Sequence, residues 1–140
     1  MSCVILLASD HPMPLYDSGL RRVFVSGSVT VETPGFSVQD HEYCRDAVDE
    51  LGLDMKPFLY ELNLKATEAD AEQLRAYLEA NCHPGEQVEL WNLWVGYDRE
   101  ADIPHFRGRL SDLDRETLEQ LCNPPQHSGF PGQCRMTVTI

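Results

Sequence analysis

The stretch from residue 86 to residue 97 restricts the fold more than any other part of the sequence, because apolar residues occupy both its odd and its even positions. Successive side chains of a strand point to opposite faces, so a strand of this composition needs cover on both sides. The pattern predicts a long strand inside a layered fold. Its two sets of side chains are Trp91, Leu93, Val95 and Tyr97 on one face and Val88, Leu90, Asn92 and Trp94 on the other.

Four further segments have strand patterns. Residues 2–8 are continuously apolar, which favours a strand covered on both faces. Residues 22–31, 57–65 and 133–140 alternate apolar and polar positions, as half-buried strands do. In 22–31 the valines are predicted to share one face with Gly27.

Three segments have the apolar stripe and N-terminal capping signals of helices. They are predicted at 37–51, 67–81 and 111–123, with Gly52 ending the first of them. The predicted caps are Ser37, Thr67 and Ser111, each followed three residues later by an aspartate: Asp40, Asp70 and Asp114.

The resulting order predicts an α+β fold in one domain, 1–140, with a mixed or antiparallel sheet of five to six strands and three helices mainly on one face. Residues 57–140 read β-α-β-β-α-β, which favours a ferredoxin-like topology, with 1–53 as a ββα extension packed on it. A mixed sheet with 86–97 inside and 105–109 as a loop or edge is the alternative.

Charge and length exclude several classes of protein. A chain of 140 residues fits one core, and its formal net charge of −12 argues against a nucleic-acid partner. The longest apolar run, Cys3–Ala8, is far shorter than the ~20 residues that span a bilayer, so we expect no membrane partner. The start, Met-Ser-Cys, has no basic region typical of a secretory signal. The acidity favours a basic protein as partner.

Cysteine usage predicts the compartment. The chain has five cysteines and no CxxC pair, which indicates free thiols in a reducing cytoplasm. Free cysteines usually behave as small buried apolar groups, and most of these five positions fit apolar faces. They are Cys3, Cys44, Cys82, Cys122 and Cys134.

No catalytic motif stands out, and the favoured interpretation assigns no catalytic residue. The alternative is a small hydrolase or isomerase in which His11, directly after the first strand, acts as a general base with a carboxylate. Asp10 is the adjacent carboxylate, although neighbouring residues rarely point the same way, so the partner of His11 would come from elsewhere.

Metal and cofactor signals are weak, and we predict neither. His41 and Cys44 stand three residues apart on the first helix, close enough to share a metal, but a site needs at least a third ligand and Cys82-His83 is the only other such cluster. Glycine-rich phosphate loops are absent.

A recognition surface is predicted on the polar face of the sheet, where a tryptophan stands beside polar groups. Two such open faces stacking would give a homodimer. The competing interpretation covers Trp94 with the N-terminal segment or with residues 124–132. The predicted surface comprises Trp94, Asn92, Asn63 and Lys65, with Arg135 and Ser28.

The densest positive segment, His105-Phe106-Arg107-Gly108-Arg109, suggests binding of a small anionic ligand through Arg107 and Arg109, since guanidinium groups suit carboxylate and phosphate. Charge balance against nearby acidic residues is the simpler interpretation. These are Asp98, Glu100, Asp102, Asp112 and Asp114.

Together these patterns favour a non-catalytic protein- or ligand-binding domain. An enzyme that uses His11 and an anion or metabolite sensor that uses Arg107 and Arg109 are the alternatives.

Overall fold

The fold was analysed in a computed structural model that describes residues 2–42, 45–95, 103–124 and 132–140. A mixed sheet of seven strands has the order β2-β5-β6-β1-β7-β9-β8, and β3 pairs with β4 in a separate two-stranded sheet. The strands are β1 Ser2–Ser9, β2 Tyr16–Asp17, β3 Arg21–Ser26, β4 Val29–Pro34, β5 Ser37–Asp40, β6 Phe58–Asn63, β7 Gln87–Val95, β8 His105–Arg109 and β9 Cys134–Thr139. The helices are α1 Arg45–Glu50, α2 Glu68–Asn81 and α3 Arg115–Cys122.

The sheet has apolar cover on both faces, and the predicted α+β class is confirmed. Helices α2 and α3 pack on one face, and α1 places Val48 on the other. The first cluster includes Leu7, Leu62, Leu74, Leu78, Leu90, Leu118, Leu121 and Met136. The second includes Val4, Leu6, Ala8, Val48, Trp91 and Leu93.

The long strand β7 is interior, as its two apolar faces predict. It pairs antiparallel with β1 on one side and with β9 on the other. Leu90 faces the cluster under α2 and α3, and Trp91 faces the opposite cluster. Alternate side chains of this one strand therefore join the two halves of the core.

The ferredoxin-like order predicted for residues 57–140 is not confirmed. That order would place the strand at 105–109 inside the sheet, but β8 lies at its edge, parallel to β9 and joined to it through α3. The N-terminal strand β1 lies between β6 and β7 and is thus integrated in the same sheet. The alternative with 105–109 as an edge is the one found.

The prediction of a helix over 37–51 is wrong in its first part. Residues 37–40 form β5, which pairs antiparallel with β6, and the helix begins only at Arg45. Buried Phe36 and Val38 explain the difference, since they stand two apart and face the core as strand residues do. Ser37 is consequently no helix cap, and the predicted place of Cys44 lies outside the described residues.

The strand predicted at 22–31 is a hairpin. Strands β3 and β4 are joined by a turn at Gly27-Ser28, where Gly27 has a φ of 60°. A short turn with a left-handed glycine fits the twist of two antiparallel strands. The valines therefore do not share one face: Phe24 pairs with Val31, whereas Val23 pairs with Glu32.

The helix caps were predicted with mixed success. Thr67 caps α2 by accepting a hydrogen bond from the Asp70 amide, as predicted. The prediction of Ser111 as a cap is wrong, because residues 110–112 form a separate 3-10 turn and Asp114 caps α3. In the described part of the chain no helix is long and apolar enough to cross a membrane.

Candidate functional site

Residues 16–40 form one long hairpin whose outer part leaves the main sheet. In the main sheet Tyr16 pairs with Val38 and Asp17 pairs with Ser37. Pairing resumes in the two-stranded sheet, where Arg21 pairs with Pro34. Between the two ladders, residues 18–20 stand opposite residues 35–36, and Gly19 has a φ of 72°. An extra residue with a left-handed glycine is a β-bulge, which bends a ribbon and increases its twist. We call the outer ribbon, Arg21–Pro34, the arm.

Arg22 fixes the base of the arm to the body of the molecule. Its guanidinium lies 2.5 Å from an Asp70 carboxylate oxygen and donates to the carbonyls of Pro34 and Asn63. The Arg22 and Asp70 side chains are 11% and 5% exposed. A buried charge needs such partners, so this contact gives the arm a defined base.

Beyond that base the arm is bare and apolar on both faces. Among the described residues, eight of the nine exposed large apolar side chains lie between residues 15 and 31, five of them on the arm and three just before it. Single exposed apolar residues are ordinary, but a contiguous set marks an interaction surface. The eight are Leu15, Tyr16, Leu20, Val23, Phe24, Val25, Val29 and Val31.

A second group of side chains converges where β1 ends. Donor atoms of His11, Cys82 and Glu86 all lie within 4.8 Å of one another, and we call them the His–Cys–Glu cluster. His11 Nε2 lies 2.7 Å from a Glu86 carboxylate oxygen, and His11 Nδ1 lies 3.0 Å from the Pro12 carbonyl. These hydrogen bonds, first to Pro12 and then to Glu86, raise the pKa of His11.

This geometry does not form a cysteine-based nucleophile. Both ring nitrogens of His11 have other partners, so neither is free to take the Cys82 proton. Burial, followed by the Glu86 charge, raises the pKa of the Cys82 thiol to about 11, which keeps it protonated at neutral pH. Asp10, the carboxylate named with His11 in the sequence, forms an ion pair with Lys56 instead.

The basic segment on β8 lies beside Arg135, whose guanidinium packs on Trp91 and contacts His105. Arg135 lies 5.0 Å over the Trp91 ring and donates to His105 Nδ1, while His105 Nε2 donates to the Thr137 hydroxyl. Burial and the nearby charges of Arg135 and Arg107 lower the pKa of His105, so the ring stays neutral. These contacts account for His105 as a structural side chain of the edge.

Arg107 and Arg109 line different grooves. Arg109 and Arg75 line one groove of about 890 Å³, together with the last two residues of the chain. No ion pair within 4.0 Å involves Arg107 or Arg109 among the described residues. The acidic residues 98–102, predicted to balance them, lie outside the described residues.

The predicted open face with Trp94 and Asn92 is not found. Asn92 is 1% exposed and donates to the Leu121 carbonyl at the end of α3. Trp94 Nε1 donates to the Gly132 carbonyl, and most of the segment that the competing interpretation places over Trp94, residues 125–131, lies outside the described residues. The alternation of residues along β7 does not by itself indicate which helix ends meet it, and the end of α3 covers Asn92.

The remaining predicted surface residues are dispersed. Asn63 accepts from Arg22 at the base of the arm, and Ser28 lies in the arm's turn. Exposed Lys65 uses its backbone amide to bind Asp70. Arg135 stacks on Trp91 far along the sheet order from Asn63.

Sequence reasoning missed Glu86 and Cys82 as neighbours of His11. They stand 71 to 75 residues away along the chain, and only the antiparallel pairing of β1 with β7 brings the segments together. The Gly27-Ser28 dipeptide was the available signal for the arm, since a glycine within a strand pattern can mark a turn.

Comparison with known proteins gives no family: no family of known proteins matches the chain, nor does any curated protein or solved structure.

Proposed function

We propose that the chain is a non-catalytic protein-binding domain whose binding surface is the arm and whose partner is a second copy of the same chain. The observation that supports this is the set of five exposed apolar side chains on the arm, from Val25 at 74% exposed to Val31 at 46%.

An arm of this kind is poorly stable without cover. Two-stranded hairpins are marginal in water, and an apolar ribbon with two free edges invites further pairing. Only the base of the arm is fixed, through Arg22, while its remaining length contributes to neither described core cluster. Cover for the arm is therefore needed whenever the chain is folded.

A second copy meets that need better than an unrelated protein. It is present wherever the chain is present, and a two-fold axis places one apolar patch on an identical patch, so no separate complementary surface is required. The arm has both free edges and free faces available for such a contact.

Charge also favours contact between two arms. The formal net charge of −12 opposes close approach of two copies in general. On the arm, Arg22 is neutralised by Asp70, and Arg21 offsets Glu32. The arm is thus the part of the surface where two acidic chains can approach with least repulsion.

The test is the molar mass in solution by light scattering or sedimentation. We expect the wild-type chain to have twice its 15.9 kDa mass. The pairs Phe24→Ser with Val31→Thr, and Val23→Thr with Val25→Thr, each remove apolar groups from one face of the arm. At least one pair is expected to yield monomers, while Phe58→Ser, at an exposed apolar site outside the arm, remains dimeric.

A wild-type monomer up to high concentration would overturn the assignment of a second copy. A dimer that survives both pairs of substitutions would show that the apolar faces of the arm are not the interface. Salt-sensitive association of a wild-type monomer with a basic protein would instead support the partner expected from acidity alone.

Anion binding is a second candidate, supported by the groove that Arg75 and Arg109 share. Arg75 also donates to the Leu113 carbonyl and Glu79 lies in the same groove, so Arg109 is the guanidinium that would bind a carboxylate or phosphate there. Thermal-shift measurements with inorganic phosphate and citrate test it, because a ligand of the native state raises the melting temperature. We expect the shift to be lost in Arg109→Ala and kept in Arg107→Ala, and no shift in the wild type would end this proposal.

A reducing cytoplasmic location remains part of the proposal. The four described cysteines are free thiols, which agrees with it.

A further inference from the structure

The His–Cys–Glu cluster brings together three side chains that are each able to bind a metal ion. The Pro12 carbonyl can only accept a hydrogen bond, so the proton on His11 Nδ1 must point to it. In the neutral ring Nε2 then carries a lone pair, and it faces a Glu86 carboxylate oxygen 2.7 Å away. A second proton on His11 would make this contact a hydrogen bond; without that proton, the Nε2 lone pair and the carboxylate are both free to bind a metal ion after a small increase in their separation.

The three donor types favour a metal ion that binds nitrogen and sulfur ligands, such as zinc. Cys82 adds a thiol to the imidazole and the carboxylate, and all three donor atoms lie within 4.8 Å of one another. A tetrahedral zinc site holds its ligand atoms roughly 3.3–3.8 Å apart, so small side-chain shifts would suffice. Calcium and magnesium prefer oxygen ligands and would not use the sulfur.

The orienting contacts resemble those of metal ligands. A metal-binding histidine usually donates its other ring N–H to a backbone carbonyl, as His11 does to Pro12. The second carboxylate oxygen of Glu86 accepts a hydrogen bond from the His83 amide. Both side chains are therefore held in place by the Pro12 carbonyl and the His83 amide, which are not among the three donor groups.

The backbone around the cluster is also fixed. The Gly85 amide donates to the Ile140 carbonyl, and the Ile140 amide donates to the Glu86 carbonyl. The Cys82 amide caps the end of α2 by donating to Leu78. The turn that carries two of the three donors is thus attached both to α2 and to the end of β9, which lowers the cost of arranging the ligands.

Exposure is suited to exchange of an ion with solvent. The His11 and Glu86 side chains are 36% and 25% exposed, whereas Cys82 lies at the core with 9% exposure. Three protein ligands on the protein side leave a fourth position open to water.

We propose that His11 Nε2, Cys82 Sγ and a Glu86 carboxylate oxygen bind one zinc ion per chain, with water as the fourth ligand. On binding, the Cys82 thiol releases its proton to solvent and the thiolate sulfur donates its electron pair to the metal. Any second proton on His11 is released as well. This site shares no residue with the arm, so the outcome does not depend on self-association.

The experiment uses the full chain, reduced and treated with a chelator, titrated with zinc chloride in a calorimeter. We expect one zinc per chain, with affinity reduced at least tenfold in both His11→Gln and Glu86→Gln. Cys3→Ser and His105→Gln, which alter a thiol and an imidazole outside the cluster, are expected to bind within twofold of the wild type.

Cobalt chloride provides a second readout. Cobalt bound to the cluster should give the near-ultraviolet charge-transfer band of a cobalt–thiolate bond, and Cys82→Ser should lose that band. Because Cys82 adjoins the core, its variant is first checked for folding, and the two exposed-ligand variants keep the test decisive if it fails to fold. Absence of stoichiometric zinc binding, or equal affinity in His11→Gln, would mean that the cluster is an ion pair only and would overturn the proposal.

Discussion

At the scale of single residues, the buried polar groups allow the most specific predictions of how substitutions change stability. Arg22 and Asp70 are nearly inaccessible to water, and Asp70 also accepts from the Lys65 amide. Removing one partner of a buried pair leaves the other charge without compensation, which costs more than the pair itself contributes.

We therefore expect Arg22→Ala to lower the free energy of unfolding by about 3 kcal/mol, measured by urea denaturation. The neighbouring Arg21→Ala is the matched control, because Arg21 is exposed, and it should change stability by less than about 0.5 kcal/mol. Equal effects of the two substitutions would show that the ion pair does not anchor the arm.

His41 supplies a pH-dependent expectation. Its ring is buried without a hydrogen-bond partner among the described residues, and burial lowers its pKa, while Asp49 and Arg45 act in opposite directions. A folded-state pKa below 6.5 means that the unfolded chain binds the proton more readily, so protonation opposes folding.

The contribution of neutral His41 to the free energy of unfolding should accordingly be fully present above pH 6.5. It should fall as the pH drops from there toward the lower folded-state pKa of His41. Urea denaturation of the wild type and of His41→Gln between pH 5 and pH 8 measures the difference. The His41→Gln chain should lose less stability on acidification, and parallel pH profiles for the two chains would refute the assignment to His41.

At the scale of elements, the bulge between the two parts of the long hairpin determines where the arm points. Gly19 has a φ of 72°, and a Cβ placed there would meet nothing within 4 Å, so a substitution tests backbone conformation alone. We expect Gly19→Ala to cost about 1 kcal/mol in unfolding free energy, since a left-handed conformation strains ordinary residues. Gly19→Asn should cost clearly less, because asparagine tolerates this region, and equal costs would argue against the strained bulge.

Elements whose signals are local were predictable from the sequence. The Thr67 cap and the stripe of Leu74 and Leu78 define α2, and the unbroken apolar run defines β1. The arm was misread because a two-residue turn preserves the odd–even spacing of the valines, so two strands look like one. Residues 37–40 were misread because Ser37 has a capping side chain, although pairing with β6 determines their conformation.

At the scale of the whole molecule, the candidate sites depend on pairing between distant segments, which one sequence does not reveal. His11 reaches Glu86 only because β1 lies next to β7, and Arg22 reaches Asp70 only because the hairpin lies beside the start of α2. The sequence could name His11 as a residue of interest, but it could not identify the residues that surround it.

Self-association through the arm also predicts how the stability of the molecule depends on concentration. If folded chains pair and unfolded chains do not, mass action raises the melting temperature as the total concentration rises. We expect this rise in calorimetric scans of the wild type, and we expect at least one of the two paired arm substitutions to abolish it. Those substitutions remove exposed side chains and should leave the melting temperature at high dilution nearly unchanged, because neither described core cluster includes the arm. A melting temperature that is independent of concentration in the wild type would mean that each chain folds alone with its arm uncovered.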